Sequence, residues 1–316
     1  MRAAGAMSAD ARRAVLAPVL DQLEAICDFG PVTQNLAELP DVDLLVTGWG
    51  CPPITREVLE GLPSLKAIVH TAGSVKGFVT DACWDRGIVV SSAASANALP
   101  VAEYTVAMIL LSGKRVLERA RDYKSAQRID HYEIPPTVGN YGATVGILSA
   151  SMIGRRVIEL LRPHDFRVLV HDPFVTEVDG AESVSLTDLF RRSDVVSVHT
   201  PLLPETRRLV SGELLGLLRD DAVLINTARG AVLDQDALAG EIGRIRAVLD
   251  VTDPEVLPPD HPLWRSENVL ITPHLAGSQG NEWGRLAHHA VEEVRRWVNG
   301  EPFQTPVLAE RRERIA

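Results

Sequence analysis

The segment Thr144-Val-Gly-Ile-Leu-Ser-Ala-Ser-Met-Ile-Gly154 joins a short apolar run to the start of a helical pattern. The apolar run ends at Leu148, and the helical pattern continues beyond Gly154. In open α/β sheets, ligands bind beyond the carboxyl ends of the strands, at turns of this kind. The segment therefore predicts a strand, a turn and a helix, with the turn as the place where a nucleotide cofactor would bind.

Five further apolar runs follow, and a helical stretch separates each from the next. They cover residues 167–171, 195–199, 222–226, 245–251 and 268–272. Six strands that alternate with helices predict a doubly wound parallel sheet. Ser185, three residues before Asp188, and Asp234 have the residue types that begin helices, which fits this alternation.

The first hundred residues show the same alternation on a smaller scale. Residues 43–47 and 65–70 are predicted to be parallel strands, with helices at 8–26 and 55–62. A long helical pattern over 100–121 is interpreted as a domain connector. The polar stretch 122–140, with Tyr123 and Tyr132, is interpreted as an arm or loop. A last helix over 281–299 is expected to return to the first domain.

Composition limits the class of protein. A chain of 316 residues, 46% hydrophobic and 23% charged, suits two domains with a cleft between them. A net charge of −10, with no run of Lys or Arg longer than a pair, argues against nucleic acid or an anionic membrane as a partner. Cys27, Cys51 and Cys83 lack the spacing of a disulfide framework or a zinc site. No targeting signal or membrane span is recognised, so a reduced, cytoplasmic protein is expected.

The nucleotide-binding turn departs from the usual G-x-G-x-x-G pattern. Gly154 occupies the third glycine position, but Ser149 and Ser151 occupy the first two. Asp172 ends the next strand, at the spacing that lets a carboxylate accept hydrogen bonds from both ribose hydroxyls, which favours NAD over NADP. Taken alone, this turn is equally consistent with a purely structural connection. If the serines hinder pyrophosphate, restoring both glycines should tighten NADH binding.

Three later motifs are more specific. They are Asn226-Thr-Ala-Arg-Gly230, Leu249-Asp-Val-Thr-Asp-Pro-Glu255 and Thr272-Pro-His-Leu-Ala-Gly277, in that order at predicted strand ends. Together the motifs resemble the D-2-hydroxyacid dehydrogenase family, over residues 41–307. The resemblance implies two Rossmann-like or flavodoxin-like α/β domains linked by two long helices. It places a substrate-binding domain at 1–100 and 280–316, around an NAD-binding domain at 101–279.

The resemblance also implies roles for individual residues. His274 would be the general acid/base, Glu255 the carboxylate that orients it, Arg229 the cation that binds substrate, and Asp250 a partner of the nicotinamide carboxamide. Cofactor-binding residues would be Ser151, Met152, Ile153, Asp172, Thr200, Pro201, Thr206, Thr227, Ala228, Asp250 and His274. Gly73, Ser74 and Val75 would offer backbone N–H groups to the substrate carboxylate. A homodimer that uses the 100–121 helix and the 122–140 arm is expected, and no catalytic metal.

The chemistry of a 2-oxo acid agrees with these roles. Reduction turns its carbonyl into an alkoxide, which needs a proton donor such as an imidazolium and a guanidinium fork for its oxygens. Glu255 is followed by Val256, where the family pattern has proline. A second hypothesis is that the protein is a dinucleotide-responsive binding or sensor protein, in which Ser149 and Ser151 weaken catalysis. Trp49 and Trp283 either border the substrate pocket or belong to the core.

Overall fold

The computed structural model describes residues 1–128, 134–135 and 137–311. The described chain forms two compact units. Unit 1 contains Met1–Asn97 and Ser278–Ala316, and unit 2 contains Ala98–Gly277. Tyr132 of the predicted arm lies outside the described residues.

Unit 1 is built on a six-stranded sheet whose outermost strand is antiparallel. Its strands are β1 (Arg2–Ala6), β2 (Asp28–Thr33), β3 (Leu44–Thr47), β4 (Ala67–His70), β5 (Val89–Ser92) and, near the C-terminus, β13 (Pro306–Val307). The order across the sheet is β13-β5-β4-β3-β1-β2, and only β13 runs antiparallel to its neighbour. The sequence predicted β3 and β4, whereas β1, β2 and β5 were not predicted.

Unit 2 is built on a seven-stranded parallel sheet. Its strands are β6 (Thr144–Leu148), β7 (Arg167–His171), β8 (Glu182–Ser183), β9 (Val195–Val198), β10 (Val223–Asn226), β11 (Arg246–Leu249) and β12 (Val269–Ile271). The order is β12-β11-β10-β9-β6-β7-β8, so the strand order reverses at β6. All six predicted runs are strands, and the α/β fold with two parallel-sheet domains is confirmed.

Helices cover both sheets. They are α1 (Ala9–Ala11), α2 (Leu20–Ile26), α3 (Arg56–Gly61), α4 (Asp81–Asp85), α5 (Ala94–Gly113), α6 (Val116–Ala126), α7 (Met152–Leu161), α8 (Leu186–Arg192), α9 (Gly212–Leu217), α10 (Gln235–Glu241) and α11 (Trp283–Val298). Ser185 and Asp234 begin α8 and α10, because their side chains accept hydrogen bonds from the N–H groups of Asp188 and Ala237.

The predicted single helix over 100–121 is wrong in both its start and its continuity. The helix begins six residues earlier, at Ala94, so that Pro100 lies inside it. It ends at Gly113, and a new helix starts after Arg115, which has a left-handed φ of +50°. One change of unit falls within α5, and the other falls at Gly277–Ser278, before α11 begins.

The α5 helix is long and apolar enough to cross a membrane by length and composition, contrary to the expectation that no segment would be. Its buried residues Ala102, Val106 and Ile109 pack into the core of unit 2 with Val145 and Ile147. These contacts are those of a core helix. Among the described residues, no group of three or more His, Cys, Asp or Glu side chains could hold a metal ion.

The C-terminal helix α11 completes the core of unit 1. Its apolar face packs Leu286, Val291 and Val294 against the N-terminal residues Leu16 and Leu23. The same helix carries Glu293, whose side chain is 1% exposed. The Glu293 carboxylate accepts hydrogen bonds from the Ser91 hydroxyl of β5, the backbone of Gln304 and both the backbone and the hydroxyl of Thr305. A single buried carboxylate therefore ties α11, β5 and the segment that leads into β13.

Candidate active site

Three loops follow three adjacent strands of unit 2 and carry Arg229, Glu255 and His274. Arg229 follows β10, Glu255 follows β11 and His274 follows β12, and these strands are neighbours in the sheet. Because parallel strands end at the same edge, the topology brings the three loops together.

His274 and Glu255 form a direct contact. The Nδ1 atom of His274 lies 2.6 Å from Oε1 of Glu255, and both side chains are about half exposed. With the Nδ1 proton donated to the carboxylate, Nε2 is the ring nitrogen that remains to exchange a proton with a substrate. This is the arrangement of a general acid/base held by an orienting carboxylate.

The backbone of the His274 loop is held by Asp250, which is 1% exposed. His274 has a left-handed φ of +51°, and its N–H donates to the Asp250 carbonyl at 3.0 Å. The Asp250 carboxylate accepts three further hydrogen bonds, from the Thr272 hydroxyl at 2.6 Å and from the N–H groups of Leu275 and Ala276, both at 2.9 Å. The carboxylate expected to meet the nicotinamide is thus engaged with the loop that presents His274.

Arg229 is largely buried, which lowers its pKa, while the negative charge of Glu255 acts in the opposite direction. A guanidinium stays protonated at neutral pH despite such a shift. Its Nη1 donates to the Ala228 carbonyl at 2.6 Å. Asn226 shapes the loop, since its amide donates to the Arg229 carbonyl and its side-chain oxygen accepts from the Ala228 N–H. Arg229 and Glu255 therefore influence each other electrostatically, as residues of one site.

Gly230 allows the Arg229 loop to lie against the Glu255 loop. A Cβ at this position would overlap the Thr252 carbonyl group and lie 2.6 Å from the Asp253 nitrogen. The same loop is held by the Gln235 side chain, whose nitrogen donates to the Asp253 carbonyl and whose oxygen accepts the Asp253 N–H. The glycine is thus required by close backbone contact, with no need for an unusual φ.

The nucleotide-binding turn has serines at two positions where the usual pattern has glycine, and at the first of them the backbone conformation is one that favours glycine. Ser149 has a left-handed φ of +81°. Ser151 is the N-cap of α7, and its Oγ accepts the Gly154 N–H at 3.3 Å. Gly154 fits because a Cβ there would overlap the Ser149 carbonyl oxygen. Asp172, at the end of β7, accepts the Ser149 hydroxyl at 3.1 Å and the Ala150 N–H at 2.9 Å.

Comparison with known proteins identifies the family of this chain. Residues 106–276 match the model of the D-isomer specific 2-hydroxyacid dehydrogenase NAD-binding domain, which is more than half of the chain. The chain belongs to the D-2-hydroxyacid dehydrogenase family. The matched domain binds NAD, and all of its residues lie within unit 2.

Curated relatives and solved structures agree with this assignment. The chain is 30% identical over 278 residues to D-3-phosphoglycerate dehydrogenase of Methanocaldococcus jannaschii, which covers 84% of this chain and 52% of the relative. The chain thus spans about half the length of the D-3-phosphoglycerate dehydrogenases that it matches. It is 34% identical over 256 residues to (S)-sulfolactate dehydrogenase of Chromohalobacter salexigens, covering 77% and 81% of the two chains. A solved protein from Thermus thermophilus aligns with a TM-score of 0.80, at 29% identity, over 98% of this chain and all of that one.

The residues at the end of β6 fit NAD as the family uses it. The helix α7 begins at Met152, so its first N–H groups, including that of Ile153, have no acceptors within the helix and suit a pyrophosphate. The Ser151 hydroxyl accepts the Gly154 N–H and keeps its own proton for a phosphate oxygen. Asp172 provides a carboxylate at the next strand end.

The other predicted cofactor residues lie on loops of the same edge. Thr200 is 6% exposed and bonds the Leu148 carbonyl at 3.4 Å. The Thr206 hydroxyl donates to the Pro201 carbonyl at 2.7 Å and so closes their loop. Thr227 and Ala228, which precede Arg229, are buried, and the Thr227 hydroxyl lies 3.1 Å from that of Thr105 in α5.

The predicted substrate loop belongs to unit 1. Gly73, Ser74 and Val75 follow β4, and the Ser74 hydroxyl accepts the Lys76 N–H at 3.5 Å. Val75 is buried at 2% exposure, whereas Gly73 and Ser74 are partly exposed. In the same unit Trp49 is 43% exposed. Trp283 begins α11 and donates its indole N–H to the Ser278 carbonyl.

Sequence reasoning did not find the residues that support the site. Asn226 and Gln235 act on the backbone of the two loops, and Gly230 lets those loops meet. The only available signal was their place inside or beside the motifs that carry Arg229 and Glu255. Asn226 acts within its own loop, whereas Gly230 and Gln235 contact the loop that leads to Glu255. Spacing along the sequence shows neither kind of contact.

Proposed function

We propose that the protein is an NAD-dependent oxidoreductase that interconverts a small 2-oxo acid and its D-2-hydroxy acid. The observation that carries the proposal is the 2.6 Å contact of His274 with Glu255, beside the partly buried Arg229. A proton donor, its orienting carboxylate and a guanidinium at one sheet edge are what reduction of a 2-oxo acid requires.

In the reduction direction, a bound NADH would supply the hydride that the carbonyl carbon of the substrate accepts. His274 donates the proton from Nε2 to the carbonyl oxygen. The imidazole, now neutral, keeps the proton on Nδ1 and its hydrogen bond to Glu255. Arg229 binds the carboxylate and the polarised oxygen of the substrate through its fork of N–H donors. The overall reaction consumes one 2-oxo acid, one NADH and one proton, and it yields the hydroxy acid and NAD. In the oxidation direction, Nε2 takes the hydroxyl proton.

Asp172 gives the proposed preference for NAD over NADP. An ionised carboxylate accepts hydrogen bonds from ribose hydroxyls and repels a 2′-phosphate. Asp172→Ala should therefore weaken NADH binding more than NADPH binding. A wild-type protein that already prefers NADPH would contradict this part of the proposal.

The decisive test is NADH oxidation with a panel of 2-oxo acids: glyoxylate, hydroxypyruvate, pyruvate, phenylpyruvate and a branched-chain acid. His274→Ala should lower turnover of the best substrate by about 10²- to 10⁴-fold and leave NADH binding nearly intact. His288→Ala is the matched control, because His288 is an exposed histidine on α11. Turnover near wild type in His274→Ala would contradict the assignment of His274 as the general acid/base. NADH binding without turnover of any 2-oxo acid would instead support the sensor alternative.

A further inference from the structure

Ser149 occupies a backbone conformation that normally selects glycine. Its φ of +81° lies in the left-handed region, where a side chain is strained. The carbonyl of Ser149 packs directly on Gly154, where a Cβ would overlap the carbonyl oxygen. The strain is accompanied by one interaction that glycine lacks, the hydrogen bond from the Ser149 hydroxyl to Oδ2 of Asp172 at 3.1 Å.

The Asp172 carboxylate is held by three donors of this chain. Oδ2 accepts the Ser149 hydroxyl and the Ala150 N–H, and Oδ1 accepts the Phe174 N–H at 2.9 Å. Two of these donors are backbone groups. Among the hydrogen bonds described above for Asp172, the Ser149 hydroxyl is the side-chain donor, and therefore the one that a substitution can remove.

The number of acceptor sites left on the Asp172 carboxylate limits how many ribose hydroxyls it can bind. An ionised carboxylate offers about four acceptor sites. Three of those on Asp172 already have donors, so about one remains for a ribose hydroxyl. The Ser149 oxygen, whose proton points to Asp172, keeps its lone pairs and can accept from the second hydroxyl.

We infer that Ser149 is a positioning residue, which orients the Asp172 carboxylate for the ribose of NAD and shares in the choice of NAD over NADP. The inference rests on the proposed role of Asp172. It reverses, at position 149, the expectation that glycine would tighten NADH binding: removing the strain should stabilise the turn, while removing the hydroxyl should weaken binding. In a variant with glycine at position 149, stability and NADH affinity should therefore change in opposite directions.

The test compares Ser149→Ala and Ser149→Gly with the wild type by fluorescence titration of NADH and NADPH and by thermal unfolding. Both variants should bind NADH about fivefold to tenfold more weakly, with a smaller change for NADPH. Ser149→Gly should unfold at a higher temperature than Ser149→Ala, because it alone relieves the strained φ. NADH binding by Ser149→Gly as tight as, or tighter than, that of the wild type would overturn the inference.

A double-variant cycle separates this inference from the role of Asp172. In an Asp172→Ala background, Ser149→Ala should cause little further loss of NADH affinity, because its target is absent. An Asp172→Ala protein that keeps the wild-type ratio of NADH to NADPH affinity would refute the ribose role itself. A changed ratio in Asp172→Ala with an unchanged ratio in Ser149→Ala would refute only the role of Ser149.

A control variant shows that altered stability alone does not move this ratio. Ser185 caps α8 in the same unit, and its Oγ accepts the Asp188 N–H at 3.1 Å. Ser185→Ala should lower the unfolding temperature through the lost cap, yet keep the ratio of NADH to NADPH affinity. A shift of the ratio in Ser185→Ala equal to that in Ser149→Ala would count against a specific action through Asp172.

Discussion

Gly230 and Thr252 are in backbone contact so close that no side chain fits between them. This contact holds the loop of Arg229 against the loop of Glu255. Gly230→Ala should therefore move one loop away from the other and destabilise the fold by about 1–3 kcal/mol, with a loss of kcat. Urea unfolding and steady-state kinetics measure both effects. Gly216→Ala is the matched control, because a Cβ on Gly216 in α9 would meet nothing within 4 Å. Equal stability of the two variants would contradict the requirement for glycine.

The Glu255 carboxylate should act through its charge as well as its hydrogen bond. Glu255→Gln retains an oxygen that can accept the Nδ1 proton of His274, but it cannot balance a protonated imidazole. We expect a fall in kcat of about tenfold or more, with NADH affinity unchanged. Pre-steady-state kinetics of NADH oxidation measure the chemical step directly. Wild-type kcat in this variant would show that Glu255 only holds the ring in place.

Asp250 should matter for stability before any cofactor is bound. In Asp250→Asn, an amide NH₂ would face one of the donors from Thr272, Leu275 or Ala276. We expect a loss of about 2 kcal/mol or more in the free energy of unfolding without NADH. Asp220→Asn, at a side chain 83% exposed, is the control and should stay near wild type. If Asp250→Asn unfolds like wild type and loses only NADH affinity, the carboxylate serves mainly the cofactor.

Much of unit 2 was predictable because its central strands β6, β9 and β10 are buried along nearly their whole length and form short apolar runs in the sequence. The bounds of β6 and β7 agree with the predicted ones. The first strand, Arg2–Ala6, was missed because its residues are small and lack the β-branched side chains that mark strands. The start of α5 was placed six residues late because proline favours the first turn of a helix, whereas Pro100 lies inside this one.

The site was only partly predictable. Its chemical residues stand in motifs, so a family resemblance could propose their roles. The contacts of Asp250 with its loop and of Ser149 with Asp172 depend on the path of each turn. A short side chain meets its partner only when that path is known. Spacing along the chain therefore could not reveal them.

Glu293 should make stability depend on pH. Burial raises the pKa of this carboxyl, but hydrogen bonds from Gln304, Thr305 and Ser91 outweigh burial and lower it overall. A folded-state pKa below the unfolded value stabilises the fold above about pH 4.5, and this contribution is lost as the pH falls through the folded value. The difference in unfolding free energy between wild type and Glu293→Gln should thus be largest at neutral pH and shrink in acid. Urea unfolding at pH 7 and pH 4 measures this difference.

The adjacent Glu292 provides the control for that experiment. Its side chain is 56% exposed and pairs with Arg295 at the surface. Glu292→Gln should stay close to wild type at both pH values, because exposed ion pairs contribute little. A constant difference between wild type and Glu293→Gln across the pH range would contradict the lowered pKa of Glu293.

Homodimerisation through unit 2 remains a prediction, and α6 is the helix to test. No residue of this helix is buried within the chain, although Leu117 is 46% and Tyr123 57% exposed. Sedimentation at micromolar concentration should give a dimer, and Leu117→Glu should shift it toward monomer by placing a charge in an apolar contact. A monomeric wild type would refute the prediction.

The return of the chain to unit 1 sets an order for folding during synthesis. Leu16 and Leu23 are synthesised well before their partners Leu286, Val291 and Val294. At 5–20 residues per second, the interval between Asn97 and Leu286 is roughly 10 to 40 s. Unit 2 is continuous in sequence and can fold during this interval. Until α11 is synthesised, Leu16 and Leu23 lack these partners, and we expect a chaperone to bind the apolar surface that is left exposed there.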